Sequence, residues 1–226
     1  MHCDVILING AQDYRTPDER WYTERNADNA PYNMGADFAL ESLGAGAGRC
    51  LVIGSPLFEA QELRAAGWDV TYLDVRQPPV EIGWIPGDAT RMPFPDAHFD
   101  AVSTNCVLCH AGLGRYGDRL DEQGDERMLA EIHRVLKPGA LAVVGFGPAV
   151  DNAMPILFAG NQRMYTLTEA RAMARRARFG IVETRVLDHL TEAWRAPGAH
   201  PAVLDMEAQP VDIGRVDYLS MLLRRI

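Results

Sequence analysis

RCLVIG (49–54), a helical segment ending AAG (65–67) and then DVTYLD (69–74) decide the fold. The first apolar run stops at Gly54 and the second at the acid Asp74, so the pair reads as two parallel strands joined by a helix. In such a βαβ unit the tight turn after the first strand aims backbone N–H groups and a helix N-terminus at a ligand. An acid about 20 positions past the turn accepts both hydroxyls of a ribose. Asp74 stands at that position, and Asp88 follows a third short strand expected near Glu81–Ile85. Together these residues imply a nucleoside-binding crevice at the carboxyl edge of a parallel sheet.

The flanking chain extends the same pattern. GDATRMPFPDAHFD (87–100) reads as a loop leading into a fourth strand, FDAVSTN (99–105), and LGRYGDRLDEQGDE (113–126) as a polar, glycine-rich loop. Met128, Leu129, Ile132, Val135 and Leu136 then fall on one helical face. LKPGA (136–140) ends that helix and leads into LAVVGF (141–146), apolar enough for a strand buried on both faces. Thr166 and Glu169 form a capping box for a helix running to about Arg178. IVETRVL (181–187) and VDYLSMLL (216–223) read as the last two strands, and the proline-bearing stretch 188–214 between them as an inserted loop.

Upstream, VILI (5–8) reads as a short strand or a packed extension, and 18–24 and 34–43 have helical character. GAGAG (44–48) precedes the first strand, so it is a hinge and not a phosphate loop. Residues 1–48 are expected to form an extension lying as a lid over the site, and 49–226 the cofactor-binding domain.

Composition narrows the partners. The 226 residues carry a net charge of −9, which disfavours a nucleic-acid-coating surface. The densest basic run, RAMARRARFG (171–180), alternates with Ala and Met as the wet face of a helix does. No apolar run approaches the ~20 residues of a bilayer span. The opening MHCDVILING lacks the basic start of a secretory signal, so a cytoplasmic setting is expected. CVLCH (106–110) matches the haem c attachment string, but it follows a buried strand in a nucleoside-binding frame and reads as reduced cysteines. Cys106, Cys109 and His110 lack a fourth ligand at a recognisable spacing, so no metal is expected.

With these elements placed, residues 47–226 resemble a class I S-adenosylmethionine-dependent methyltransferase. The resemblance is carried by GDATRMPFPDAHFDAVSTNCVLCH (87–110) and MLAEIHRVLKPGALAVVGF (128–146). Family members pair an acid–small turn, a Leu-Pro-Phe-like turn and an FD-led strand with a later RVLKPGG-like leader. LGRYGDRLDEQGD (113–125) looks like a divergent branch with a GRYGD loop after strand four. The implied fold is α/β: a Rossmann-like, seven-stranded, mostly parallel sheet with helices on both faces and an antiparallel last strand. The implied cofactor is S-adenosyl-L-methionine, with S-adenosyl-L-homocysteine as product. The family's first motif, acid-x-Gly-x-Gly-x-Gly, is altered here to VIGSPLFE (52–59), and only Gly54 survives.

The resemblance assigns Asp74 to the ribose hydroxyls, with Val75 beside it, Asp88 to the adenine amine and Ala89 to a backbone contact with the adenine edge. Asn105 and Cys106 would floor the site under the sulfonium, and Ser55 or Glu59 would help hold the cofactor's amino group. Two rival readings stay open: Glu59 as a helix-start acid, and Asp88 as a self-bonded turn residue. His110 is the candidate general base, with packing without chemistry as its alternative. Tyr116 and Arg115 would orient an anionic or carbonyl-bearing acceptor. Tyr14, Trp21, Tyr22 and Tyr32 would close over the crevice, and this aromatic extension is also a candidate contact for a second copy in a homodimer. The expected function is methyl transfer to oxygen or nitrogen of a small-molecule metabolite. Non-methylating use of the same cofactor and a non-catalytic nucleoside-binding module are the alternatives, with an NAD-dependent dehydrogenase weaker because the later glycines are missing.

Overall fold

The computed structural model describes residues 5–6, 24–25, 30–78, 80–149, 156–158, 162–188, 193–195 and 217–226. At its centre is β2 (Arg49–Ile53), buried beyond its first residue. Its alternate side chains enter different cores: Leu51 and Ile53 join one cluster, Cys50 and Val52 the other. That period of two is what a strand covered on both faces requires.

β3 (Asp69–Asp74) pairs parallel with one side of β2, and β4 (Trp84–Pro86) extends the sheet beyond it. β5 (Phe99–Thr104) pairs parallel with the other side, followed by β6 (Leu136–Ala149). The chain thus runs one way from β2 to β4 and then returns to the opposite flank, which opens a crevice at the carboxyl ends of β2 and β5. β11 (Asp217–Arg225) lies antiparallel between β6 and β9 (Phe179–Asp188). The expected seven strands are therefore present with the last antiparallel. A short eighth, β10 (Ala193–Arg195), pairs with β9 at the edge. β1 (Val5–Ile6), β7 (Ile156–Phe158) and β8 (Gln162–Met164) form a separate small sheet.

The helices are α1 (Ala30–Leu43), α2 (Leu57–Ala65), α3 (Gly124–Val135) and α4 (Leu167–Arg176). On α3 the predicted stripe Met128, Leu129, Ile132 and Val135 is fully buried. Each such side chain contributes about 1.5–3 kcal/mol on leaving water. α2 and α3 belong to different clusters, with Leu57, Ala60 and Leu63 of α2 among Cys50, Val52 and Tyr72.

Some boundaries differ from the sequence reading. The third strand starts at Trp84, because Gly83 turns through a positive φ of 68° just before it. LKPGA is drawn into β6: Leu136 already pairs with Phe99, and the register shifts before Ala101. α4 stops at Arg176, with Arg178 at φ 62°. Thr166 caps it by accepting the Glu169 N–H at 3.0 Å, while the Glu169 carboxylate accepts from Arg176 and leaves the box half made. The expected helix at 18–24 and nearly all of the 188–214 loop lie outside the described residues.

One contact explains why the two halves of the signature belong together. Arg134, from HRVLKPG, donates to the carbonyls of Phe94 (2.7 Å) and Met92 (3.1 Å) and to Asp96 (2.9 Å). Glu131 fixes the guanidinium at 2.7 and 2.8 Å and accepts the Met92 N–H at 2.7 Å. The end of α3 therefore clamps the MPFPD turn that follows Asp88.

Candidate active site

A cleft enclosing about 700 Å³, open solvent included, lies at the carboxyl ends of the central strands. Gly54 enters it from the end of β2, Asp74 and Val75 from the end of β3, and Asp88 and Ala89 from the loop after β4. Asn105 and Cys106 enter from the end of β5, His110 and Tyr116 from the segment beyond, and Tyr32 from α1. Two acids separated by a strand and a loop thus share one cavity with the candidate base. Tyr14 and Tyr22, like Trp21, lie outside the described residues.

Gly54 is fixed by its backbone. Its φ is +56°, and a Cβ there would stand 2.9 Å from a Val107 methyl. Asp74 is nearly dry, and its carboxylate is held by a neighbour. Oδ1 accepts the Arg76 backbone N–H at 2.9 Å and Nε at 3.2 Å, while Oδ2 accepts Nη2 at 3.0 Å. Tyr72 donates to Oδ2 at 3.5 Å, and Trp84 Nε1 donates to the Asp74 carbonyl at 3.0 Å. Asp88 does form the self-bonded turn: Oδ1 accepts from Thr90 N (2.8 Å) and Oγ1 (2.7 Å), and among the described residues nothing bonds Oδ2.

Ser55 and Glu59 do not line the cleft; both are fully buried. Ser55 Oγ accepts the Asn105 N–H at 2.8 Å, which ties the ends of β2 and β5, and the Ser55 carbonyl accepts from Tyr72 at 2.6 Å. α2 begins directly after Pro56, so Glu59 sits in its first turn with the side chain in the interior. There Oε1 accepts from Ser103 at 2.6 Å, and Oε2 has no partner among the described residues. Burial raises this carboxyl to about 7, against the lowering effect of the Ser103 hydrogen bond. The altered glycine motif thus sets Glu59 beneath the wall, outside the described cleft lining.

Asn105 is gripped from α1: its Nδ2 donates to the Tyr32 carbonyl at 3.0 Å, and Gly35 packs so closely that a Cβ would overlap the amide. Cys50, Cys106 and Cys109 are free, and burial pushes all three thiols up, Cys109 to about 12. They remain protonated at neutral pH, so none is a ready nucleophile.

Beyond β5 a short 3-10 turn, Leu108–His110, leads into the GRYGD loop. Asp118 organises that loop by accepting the N–H groups of Gly112 (2.9 Å), Gly114 (3.2 Å) and Tyr116 (3.2 Å). Arg163 braces it from behind, donating to the Ala111 carbonyl at 2.6 Å beside the buried Asp125–Tyr165 pair. His110 is buried and meets Tyr116 edge to face at 5.6 Å. Arg115 Nη1 lies 3.0 Å from Nδ1 and 3.1 Å from Nε2 of His110. A guanidinium only donates, so the ring presents an acceptor to it. Arg115 itself is outside the cleft lining and acts through His110 and Tyr116. The sequence reading missed Arg76 and Asp118, both of which line the cleft. Each had a signal: an Arg two positions after the strand-end acid Asp74, and an Asp closing a glycine-rich turn.

Residues 51–144 match a family model described as a methyltransferase domain. The match covers 94 of the 226 residues and marks the core of the chain as a methyltransferase domain. A 59-residue stretch is 44% identical to the chloroplastic 2-phytyl-1,4-beta-naphthoquinone methyltransferase of Arabidopsis thaliana, covering 26% of this chain and 18% of that protein's length. The 1,6-didemethyltoxoflavin-N1-methyltransferase of Burkholderia thailandensis superposes with TM-score 0.63 at 18% identity, over 88% of this chain and 79% of that one. The 4+2 cyclase SpnF superposes with TM-score 0.59 at 20% identity, over 86% and 81%. Among the described residues, no three His, Cys, Asp or Glu side chains cluster as a metal site. No described helix is long and apolar enough to cross a membrane.

Proposed function

We propose that the protein transfers the methyl group of S-adenosylmethionine to an oxygen or nitrogen of a small-molecule acceptor. The observation that carries this reading is the single cleft lined by Asp74, Asp88, Asn105 and His110. Asp74 would accept the ribose hydroxyls, Asp88 Oδ2 the adenine amine, and Ala89 would offer its backbone to the adenine edge. Gly54 and Val75 would flank the nucleoside, with Asn105 and Cys106 beneath the sulfur. When bound, the cofactor supplies a sulfonium-activated methyl group and leaves neutral as S-adenosylhomocysteine.

The chain's own tasks are then alignment, exclusion of water and removal of one proton. His110 would accept that proton from an O–H or N–H nucleophile as the new bond forms, at the ring nitrogen that Arg115 must first release. Tyr116 would present its ring to the acceptor, with Arg115 steadying both rings. Tyr32, part-buried on α1, would back the cleft from the N-terminal extension, consistent with a lid formed by residues 1–48. The acidic surface favours a metabolite over a polyanion, in a cytoplasmic setting, and the extension remains the proposed contact for a second copy. Two relatives named above methylate small ring systems, one of them at nitrogen, which supports the acceptor class.

The test is incubation with S-adenosylmethionine and a panel of phenols, amines and ring nitrogens, with the nucleoside products quantified. Acceptor-dependent S-adenosylhomocysteine is expected. Methylthioadenosine alone would select a non-methylating reaction, and binding without either product would select a nucleoside-binding module.

A further inference from the structure

Arg76 is the charged group in the cleft to which the reaction assigns no task. It follows β3 by two residues and doubles back, so that Nε and Nη2 fork onto the two oxygens of Asp74 at 3.2 and 3.0 Å. Only 16% of its side chain and 4% of that of Asp74 are exposed. The same guanidinium lies over the Tyr116 ring, 4.2 Å from its centre, with Arg115 at 5.2 Å from that centre. Arg76 therefore touches the ribose acid and the acceptor loop at once.

A ribose diol donates its two hydroxyls to the same pair of oxygens. A carboxylate offers about four lone-pair sites, and Arg76 alone already uses three through its backbone N–H, Nε and Nη2. The diol and the fork compete. A guanidinium displaced from its carboxylate would then stand in a poorly hydrated mouth beside a second guanidinium, which is unfavourable without a new anion. Among the described residues, the other acids lining the cleft have tasks of their own: Asp118 holds three backbone N–H groups, and Asp88 holds Thr90 with one oxygen and would hold the adenine amine with the other. An oxyanion carried by the acceptor has the chemistry to fill the place.

We propose that Arg76 is a shared cation, paired with Asp74 until the ribose takes that carboxylate and then turned on the Tyr116 ring to pair with a carboxylate-like group of the acceptor. The inference rests on the function proposed above and narrows its substrate class to acidic acceptors. It also makes the two ligands help each other bind, reciprocally, because one releases the cation that the other uses.

Calorimetric titration with S-adenosylhomocysteine, alone and with benzoate or neutral benzamide, tests this on the full chain. Arg76→Ala should bind S-adenosylhomocysteine about 3–10-fold more tightly than wild type, as expected on removing a competing part-buried ion pair. Benzoate should tighten binding to wild type several-fold, benzamide should not, and Arg76→Ala should lose the benzoate effect. Arg76→Gln, which keeps a stem against Tyr116 but no charge, should behave as Arg76→Ala does and serves if the alanine variant does not fold. An unchanged or weaker affinity in these variants, a benzoate effect that survives in them, or none in wild type overturns the proposal. Asp74→Asn separates the two readings. If it binds like wild type, the cofactor site itself is misplaced; if it binds weakly while Arg76→Ala gains nothing, only the role of Arg76 falls.

Discussion

Replacing Glu59 by Gln should stabilise the protein in a pH-dependent way. Glu59 is fully buried at the start of α2, with one oxygen bonded to Ser103 and the other without a partner among the described residues. Its carboxyl is raised to about 7 from an ordinary 4.5, chiefly because burial disfavours the charge. Between these values the folded chain holds a proton that the unfolded chain has released, so stability falls as pH rises through the window and is flat above it. At ~1.4 kcal/mol per pH unit the loss amounts to about 3 kcal/mol. Glu59→Gln keeps an acceptor for Ser103 and carries no charge, so it escapes the loss. For a chain of this size 1 kcal/mol moves the melting midpoint by roughly 2–4 °C. The variant should therefore gain about 5–10 °C on wild type between pH 5 and pH 8. Scanning calorimetry of both proteins at the two pH values measures it. An offset identical at pH 5 and pH 8 would refute the reasoning, since an uncharged defect has no reason to follow pH.

Three further substitutions probe the cleft. Asp74→Ala should weaken S-adenosylhomocysteine binding by about 1–3 kcal/mol, the loss of charge-assisted hydrogen bonds, and an unchanged dissociation constant removes Asp74 from the site. His110→Ala should slow methylation of a protonated nucleophile by ~10²-fold or more; turnover at the wild-type rate would leave His110 a packing residue. Gly35→Ala should displace the Asn105 amide at a cost of about 1–3 kcal/mol in stability, read by thermal unfolding, together with weaker S-adenosylhomocysteine binding. If both measurements match wild type, α1 does not support the cleft floor.

The sheet was legible because its strands are short apolar runs whose ends carry turn or acidic residues, and α3 because its four apolar positions Met128, Leu129, Ile132 and Val135 share a helical face. Asp74 and Asp88 were placed by the same logic: residues just beyond parallel strands on the carboxyl side converge. Ser55 and Glu59 were not, because spacing alone does not say which way the first turn of α2 faces. One residue past Gly54 the chain is already committed to the interior, where Ser55 and Glu59 bond Asn105 and Ser103. Arg76 escaped for a different reason. Its position is local, but its effect comes from a long side chain folding back on Asp74 and across to Tyr116, some 40 residues away. Likewise the open choice at Asp88 concealed a compatibility: one oxygen makes the turn while the other stays unbonded by described residues.

The altered glycine motif also gains a physical reading. Glycines after the first strand let a ligand approach bare backbone, and here Pro56 lines the cleft instead, with no N–H to donate. Close packing has moved elsewhere: Gly35 of α1 lies against Asn105, and Asn105 bonds both Tyr32 and Ser55. The floor is thus built jointly by the N-terminal helix and the end of β5, whereas the two acids remain where strand order puts them. Under the function proposed above, in which Asp74 and Asp88 hold the nucleoside, selective grip should reside at that end, and the rest of the ligand would meet a wall that α1 helps to set.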